Sequence, residues 1–361
     1  MKKLLAVILI FALALSVAAC SSGNADSSET VETTSATTNG DEMKENMDSI
    51  LESKNFEGIV YLTQNGSVVY QSVTGKDKGG SDLTVDSTMF IGSVSKQFCA
   101  AAIMLLRDQG KLSVDDTLDK YFPEYSDGKN ITLKNLLSMR SGIIDMANDG
   151  NINGISADKT EAENTETIKE WIFSQELMFE PDSSYEYSNS NYFLLGNIVE
   201  QVSGQTYSDF IRKNFFEPLG MTHSGFVDEI KDSPAWASGM TDDTFSADDC
   251  VAGLTKGAGD IASNAPDMDA WMTGLSSGKV ISLDSYREMT ADYSPDFAAQ
   301  YGYGLSGCFD GGVGHSGVIG PYTAMDYINE EHGYNLFIAS NSSYMDIESL
   351  PMALLSDLLE E

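Results

Sequence analysis

The chain has 361 residues, 42% of them hydrophobic and 10% aromatic, which is enough to bury a full core in one large domain or two lobes and excludes a chain disordered throughout. A formal charge of −34, from 55 acidic and 21 basic residues, excludes nucleic acid and anionic lipid surfaces as partners, because like charges repel. Four cysteines without C-x-x-C spacing and only three histidines indicate no zinc site, and no cofactor is expected.

The first segment, MKKLLAVILIFALALSVAAC, places Lys2 and Lys3 before an apolar run from Leu4 to Leu15 and small residues before Cys20. The run is too short and wrongly flanked to span a membrane, and reads as an export signal over residues 1–19. Val17-Ala18-Ala19-Cys20 is similar to a bacterial lipobox, in which Cys20 becomes the lipidated first residue of the mature chain; an ordinary secretory signal cut nearby is the alternative. Residues 20–42, rich in Ser and Thr and almost without apolar side chains, read as a disordered tether. Loss of the signal removes Lys2 and Lys3 and takes the charge from −34 to −36. The expectation is a membrane lipoprotein on the extracytoplasmic face, touching the membrane through its lipid only. At most one disulfide can form among Cys99, Cys250 and Cys308, and Cys99 reads as an inert core thiol.

The body, residues 43–361, begins with an amphipathic helix over 41–53. GIVYLTQ and SVVYQSV then flank Asn65-Gly66, a hairpin signal because both turn residues tolerate positive φ. From Ser93 the periodicity turns helical, with Phe98, Ala101, Ala102, Leu105 and Leu106 on one face and Gly110 as a stop. LKNLLSM, TIKEWIFSQ, FLLGNIVEQVSG and YSDFIRKNFF suggest further helices. YGYGLSGCF, YTAMDYIN and YNLFIAS return to strand character, the last two joined by EEHG, and IESLPMALLSDLLEE closes as a helix. Strands at both ends with helices between them predict an α/β fold: an antiparallel sheet built from the N- and C-terminal segments (residues 43–92 and 295–361), flanked by terminal helices, with an inserted α-rich lobe over 93–294. A ligand would sit in the cleft between the two.

Three short constellations carry chemistry. Ser93 and Lys96 in FIGSVSKQF stand one helical turn apart at a helix start, where backbone amides can hold a developing oxyanion and a lysine can handle the hydroxyl proton; Ser95 has the wrong spacing. In YEYSNSNYFLLG, Tyr187 becomes a base and later an acid if a lysine cation stabilises its phenolate, and Asn189 offers an amide to orient a substrate carbonyl. In GGVGHSGVIGPY, His315, Ser316 and Gly317 lie in a glycine-rich strand that a substrate can approach edge-on. Rival readings are weaker. GLSSG fits a nucleophile elbow at Ser276 but follows a helix instead of a strand. Asp149, Asn151, Asn153 and Gly154 resemble part of a calcium loop that has Thr160 where a Glu is needed. His223 and His332 read as structural, since nothing places an aspartate behind any histidine.

The order S-x-x-K, then Y-S-N, then H-S-G, together with GKLSVDDTLDKYFPEY, ITLKNLLSMRSGI, FEPLGMTHSGF and GAGDIASNAPDMDAWMTGL, resembles the serine β-lactamase and DD-peptidase family, in particular its class C β-lactamase-like branch, over about residues 50–345. The resemblance implies Ser93 as acylated nucleophile, Lys96 as its proton-handling partner, Tyr187 as general base or acid and Asn189 as a substrate contact. It also implies an oxyanion hole from the backbone N–H groups of Ser93 and Val318. His315 stands where the family usually has the lysine of K-[ST]-G, and a side chain of reference pKa near 6.5 is mostly neutral at pH 7. The function so implied is an exported serine hydrolase forming an acyl-enzyme on D-amino-acyl peptides or esters, such as peptidoglycan stem peptides, and acting as a monomer. A β-lactamase and a non-catalytic penicillin- or wall-peptide-binding receptor are the alternatives.

Overall fold

The computed structural model describes residues 37–359 apart from 78, 148–151, 240–250, 298 and 343–344. The expected signal, the lipidation site at Cys20, most of the tether, Asp149, Asn151 and Cys250 lie outside the described residues. Helix α1 (Thr37–Ser53) belongs to one compact unit and the residues from Glu57 onward to another. The expected helix over 41–53 thus begins four residues earlier.

β1 (Gly58–Gln64) and β2 (Ser67–Thr74) form the predicted hairpin, with Asn65 and Gly66 at φ 50° and 77°, a tight turn whose twist matches the strands it joins. The other strands are β3 (Met89–Phe90), β4 (Gly225–Phe226), β5 (Ile261–Ser263), β6 (Ser306–Gly307), β7 (Val313–Ile319), β8 (Tyr322–Asn329) and β9 (Tyr334–Ser340). A six-stranded sheet runs β2-β1-β9-β8-β7-β6, every neighbouring pair antiparallel, so the N-terminal hairpin joins the C-terminal strands through β1 and β9. This is the α/β architecture expected, with the sheet assembled from both ends of the sequence. A second, small sheet, β3-β5-β4, has strands of two or three residues, too short for an alternation pattern to reveal.

Between β3 and β6 the chain forms α2 (Ser95–Asp108), α3 (Leu133–Leu137), α4 (Glu161–Ser174), α5 (Asn189–Ser203), α6 (Tyr207–Ile211), α7 (Glu217–Leu219), α8 (Val227–Ile230), α9 (Ala265–Ser276) and α10 (Leu283–Thr290); α11 (Leu350–Leu359) is the last helix. YSDFIRKNFF is helical throughout, as expected, with a π turn over Arg212–Phe216 between α6 and α7. YGYGLSGCF is a strand only at Ser306–Gly307. Its backbone bonds turn inward, from Gly302 N–H to Leu305 O and from Tyr303 N–H to Met289 O, and so are unavailable for a ladder.

α2 is buried nearly all round, as a central helix must be, and its Ala100-Ala101-Ala102 run lets neighbours approach closely. α5 lies against it, and α9 packs on β1, β8 and β9. Between α2 and α9, Phe98 and Trp271 stack with ring centroids 3.7 Å apart. The start of α2 is thereby fixed between the helices and β7.

Candidate active site

β3 runs into Ile91, and Gly92 at φ 52° turns the chain into a 3-10 turn over Gly92–Val94 that leads directly into α2. Ser93 occupies the middle of that turn, half-buried, and Lys96 lies one turn further on with 0% exposure. The Lys96 ammonium donates to Ser93 Oγ at 3.0 Å, to Asn189 Oδ1 at 2.8 Å and to the Ala258 carbonyl at 2.7 Å, using all three of its hydrogens. Burial pulls the Lys96 pKa down to about 7, while the charge of Asp145, foremost among the opposing influences, together with Cys99 and Asp260, pulls it back up.

Tyr187 and Asn189 reach the same place from the N-terminus of α5. Met139 pins the approach, since Glu186 N–H donates to its carbonyl at 3.1 Å and Ser188 N–H to its sulfur at 3.4 Å. The Lys96 Nζ sits 4.9 Å from the centre of the Tyr187 ring. The ring is partly exposed but the hydroxyl is shielded and makes no hydrogen bond of ordinary geometry. Burial raises the Tyr187 pKa well above its usual value, and its interaction with Ser93 only partly offsets this. The phenol, rather than the phenolate expected beside a lysine cation, is therefore the resting form, because burial disfavours the charged oxygen.

Asn189 is not open to solvent. Its Oδ1 accepts a hydrogen bond from Lys96 Nζ and its Nδ2 donates to both oxygens of Asp145, each at 3.2 Å, while its backbone N–H donates to Asp145 Oδ1 at 2.9 Å. Asp145 is 5% exposed, and burial raises its pKa. This carboxylate was not singled out from sequence: it follows the SGI landmark by two residues, and its partner Asn189 is 44 positions away.

β7 brings the third motif alongside. A Cβ added at Gly317 would overlap the Ile91 carbonyl and come within 2.6 Å of Ser93 N, and one at Gly92 would come within 2.7 Å of Val318 N. Only glycine at both positions allows the strand and the Ser93 turn to touch, and that contact places the backbone nitrogens of Ser93 and Val318 on adjoining stretches of chain. His315 is 6% exposed; its Nε2 meets the Tyr301 hydroxyl at 3.1 Å and its Nδ1 meets the Ser316 carbonyl at 2.5 Å. A carbonyl only accepts, so Nδ1 carries the proton and Nε2 accepts from Tyr301. Burial first, and the Lys96 charge second, push the His315 pKa down to about 3, so the ring is neutral and does not replace the charge of a lysine. Ser316 Oγ donates to Glu348 Oε1 at 2.7 Å, and Val318 is 43% exposed.

A further buried group ties the strand to the helix. His315 N–H donates to Asp326 Oδ1 at 2.9 Å, Gln97 Nε2 donates to both Asp326 oxygens at 2.7 and 2.8 Å, and Trp271 Nε1 donates to Gln97 Oε1 at 2.9 Å. Burial raises Asp326 to about 7. Ser93, Lys96, Tyr187, Asn189, His315 and the Gly317–Val318 backbone thus converge, whereas the rivals do not join them. Ser276 ends α9 and donates to Met272 O, and Ser95 Oγ accepts from Ile261 N–H. His223 meets Thr222 through its ring, Asp267 through its backbone N–H and Thr88 through its carbonyl, and His332 lies in the β8–β9 turn with Nε2 3.3 Å from Asp310 Oδ2. In the loop that resembles part of a calcium site, Lys159 donates to the Gly154 carbonyl. Among the described residues, Cys99 and Cys308 are free thiols.

A family model described as Beta-lactamase matches residues 43–357. The chain belongs to the β-lactamase family. It is 32% identical over 259 residues to PbpX of Bacillus subtilis (strain 168), a match covering 69% of this chain and 62% of PbpX, so less than two thirds of that relative is represented. Among solved structures it is similar to FmtA from Staphylococcus aureus, with a TM-score of 0.75 at 20% identity over 92% of this chain and 90% of that one. It is also similar to the octameric penicillin-binding protein homologue from Pyrococcus abyssi, with a TM-score of 0.73 at 26% identity over 91% and 78% of the two chains. The β-lactamase-fold family is one of serine hydrolases.

Proposed function

We propose that the protein is an exported, lipid-anchored serine hydrolase that acts through an acyl-enzyme on D-amino-acyl peptides or esters. The observation that carries this reading is the 3.0 Å bond between Ser93 Oγ and a fully buried lysine whose pKa falls to about 7. At neutral pH a large fraction of Lys96 is an uncharged amine that can take the Ser93 proton as Oγ attacks the substrate carbonyl carbon. The N–H groups of Ser93 and Val318 hold the oxyanion, and the Tyr187 phenol gives its proton to the leaving group and is refilled from Lys96. Water then attacks the acyl-enzyme by the same route in reverse. Asn189 acts here mainly by holding Lys96, since both ends of its amide are already bonded.

A receptor has no use for a buried, charge-depressed lysine, because desolvating a cation costs stability without improving the fit of a ligand. β-Lactam turnover is the second reading, favoured by the family match, but the neutral His315 leaves that strand without the cation a carboxylate substrate would meet. The test is pre-steady-state hydrolysis of a D-alanyl aryl ester by the purified protein. A burst of phenol equal to the enzyme concentration, absent from Ser93→Ala, supports the acyl-enzyme; equal linear rates for the two proteins would overturn it.

A further inference from the structure

β7 is the working edge of the sheet. β6 covers it only at Val313 and Gly314, so beyond that pair β7 meets the Ser93 turn in place of another long strand. If the substrate carbonyl lies between the N–H groups of Ser93 and Val318, the rest of the substrate must leave in two directions from that point. The leaving group departs toward its proton donor. Tyr187 lies beside His315, with ring centroids 6.1 Å apart, and so the leaving group runs toward His315 and Ser316.

There it meets an acid. Ser316 Oγ is turned onto Glu348, an exposed carboxylate in the segment just before α11. A serine that recognised a substrate carboxylate would keep that hydroxyl proton for the ligand. The two site groups that could supply a compensating cation are engaged elsewhere: both nitrogens of His315 are bonded to Tyr301 and to the Ser316 carbonyl, and Lys96 is buried with three partners of its own. A leaving group ending in a free carboxylate would therefore sit against a like charge and an occupied hydroxyl, whereas a neutral or ammonium-bearing one would not.

We infer that Glu348, held in place by Ser316, sets the leaving-group specificity of this site, excluding leaving groups that carry a free carboxylate and favouring neutral or cationic ones. This rests on Ser93 being the nucleophile, and it narrows the proposed activity to esters and amides of D-amino acids. Peptides whose departing residue ends in a carboxylate become poor substrates, as do penicillins, which keep a carboxylate on the departing nitrogen's ring.

The test varies leaving-group charge and compares each ester between wild type and the Glu348 variants, so that the differing acidities of the phenols cancel. N-acetyl-D-alanine esters of 4-carboxyphenol, 4-carboxamidophenol and 4-(aminomethyl)phenol are hydrolysed by wild type, Ser93→Ala, Glu348→Gln and Glu348→Lys, and kcat/KM is read from phenol release. Glu348 is exposed, so neither replacement disturbs the core. In wild type the aminomethyl and carboxamide esters should be preferred over the carboxylate ester. Glu348→Gln should improve the carboxylate ester relative to the carboxamide by about threefold, and Glu348→Lys by about tenfold, as expected for one and two steps of charge at a solvent-exposed contact. The differences should shrink as salt rises from about 0.05 M to about 0.5 M, which a purely structural effect would not do. Ratios that do not change with Glu348, in a protein whose activity depends on Ser93, would overturn this inference and leave the serine hydrolase standing. Activity on none of the esters, or activity that survives in Ser93→Ala, would remove both.

Discussion

Replacing Gly317 by alanine probes the contact on which the oxyanion hole depends. The added methyl would meet the Ile91 carbonyl and would lie 2.6 Å from Ser93 N and 3.0 Å from Gly92 C, all of them backbone atoms that no rotamer change can move aside. Ordinary contact needs about 3.5 Å, so β7 and the Ser93 turn must separate by about 1 Å. Two effects follow from the same displacement. Overpacking costs about 1–3 kcal/mol of stability, and a donor moved by about 1 Å from the reacting oxygen costs on the order of 100-fold in acylation rate. Acylation by a fluorophosphonate, followed by intact mass, reads the rate, and thermal unfolding reads the stability. Val318→Ala is the companion variant, because that side chain is 43% exposed while its backbone stays in place, and it should acylate close to the wild-type rate. If Gly317→Ala acylates within about threefold of wild type with an unchanged Tm, the close approach of strand and turn is not what organises this site.

Three other outcomes follow from the geometry. Lys96 accepts a proton only when uncharged, so the acylation rate should fall about tenfold per pH unit below a limb near 7; Asp145→Asn removes a charge that holds the Lys96 pKa up and should shift the limb to lower pH, and an unshifted or raised limb would contradict the assignment. Tyr187→Phe should slow acylation by roughly 10²–10⁴-fold without altering Tm greatly, as loss of a proton donor does, and near-normal turnover would leave the proton transfers to Lys96 alone. Trp271→Ala should cost about 3–5 kcal/mol in denaturant unfolding, because it empties the stack on Phe98 and strands the Gln97 carbonyl; a loss under about 1 kcal/mol would show that α2 and α9 repack freely.

What could be read from the sequence is what depends on neighbours in sequence. Asn65-Gly66 predicts its hairpin because turn preference is a property of two residues, and YTAMDYIN and YNLFIAS are strands over their full lengths because short runs rich in β-branched and aromatic residues report a buried strand locally. Ser93 and Lys96 share one turn of chain, so their proximity was legible too. The supporting groups were not. Asp145 holds Asn189 from 44 positions away, and Gln97 reaches Asp326 across 229, contacts that exist only once α2, α5 and β8 have packed. Tyr301 lies in a stretch with strand-like composition whose backbone bonds turn inward, and its hydroxyl bonds the ring of a His315 that burial and the Lys96 charge keep neutral. Burial, which sequence patterns only approximate, decides the charge of Lys96, Tyr187 and His315 alike.

The central claim is that Ser93 is the residue acylated. Intact-mass spectrometry after incubation with a fluorophosphonate, followed by peptide mapping, tests it directly: one adduct per chain, on the peptide containing Ser93 and absent from Ser93→Ala, is the predicted result. An adduct on any other serine, or none in folded protein, would contradict it.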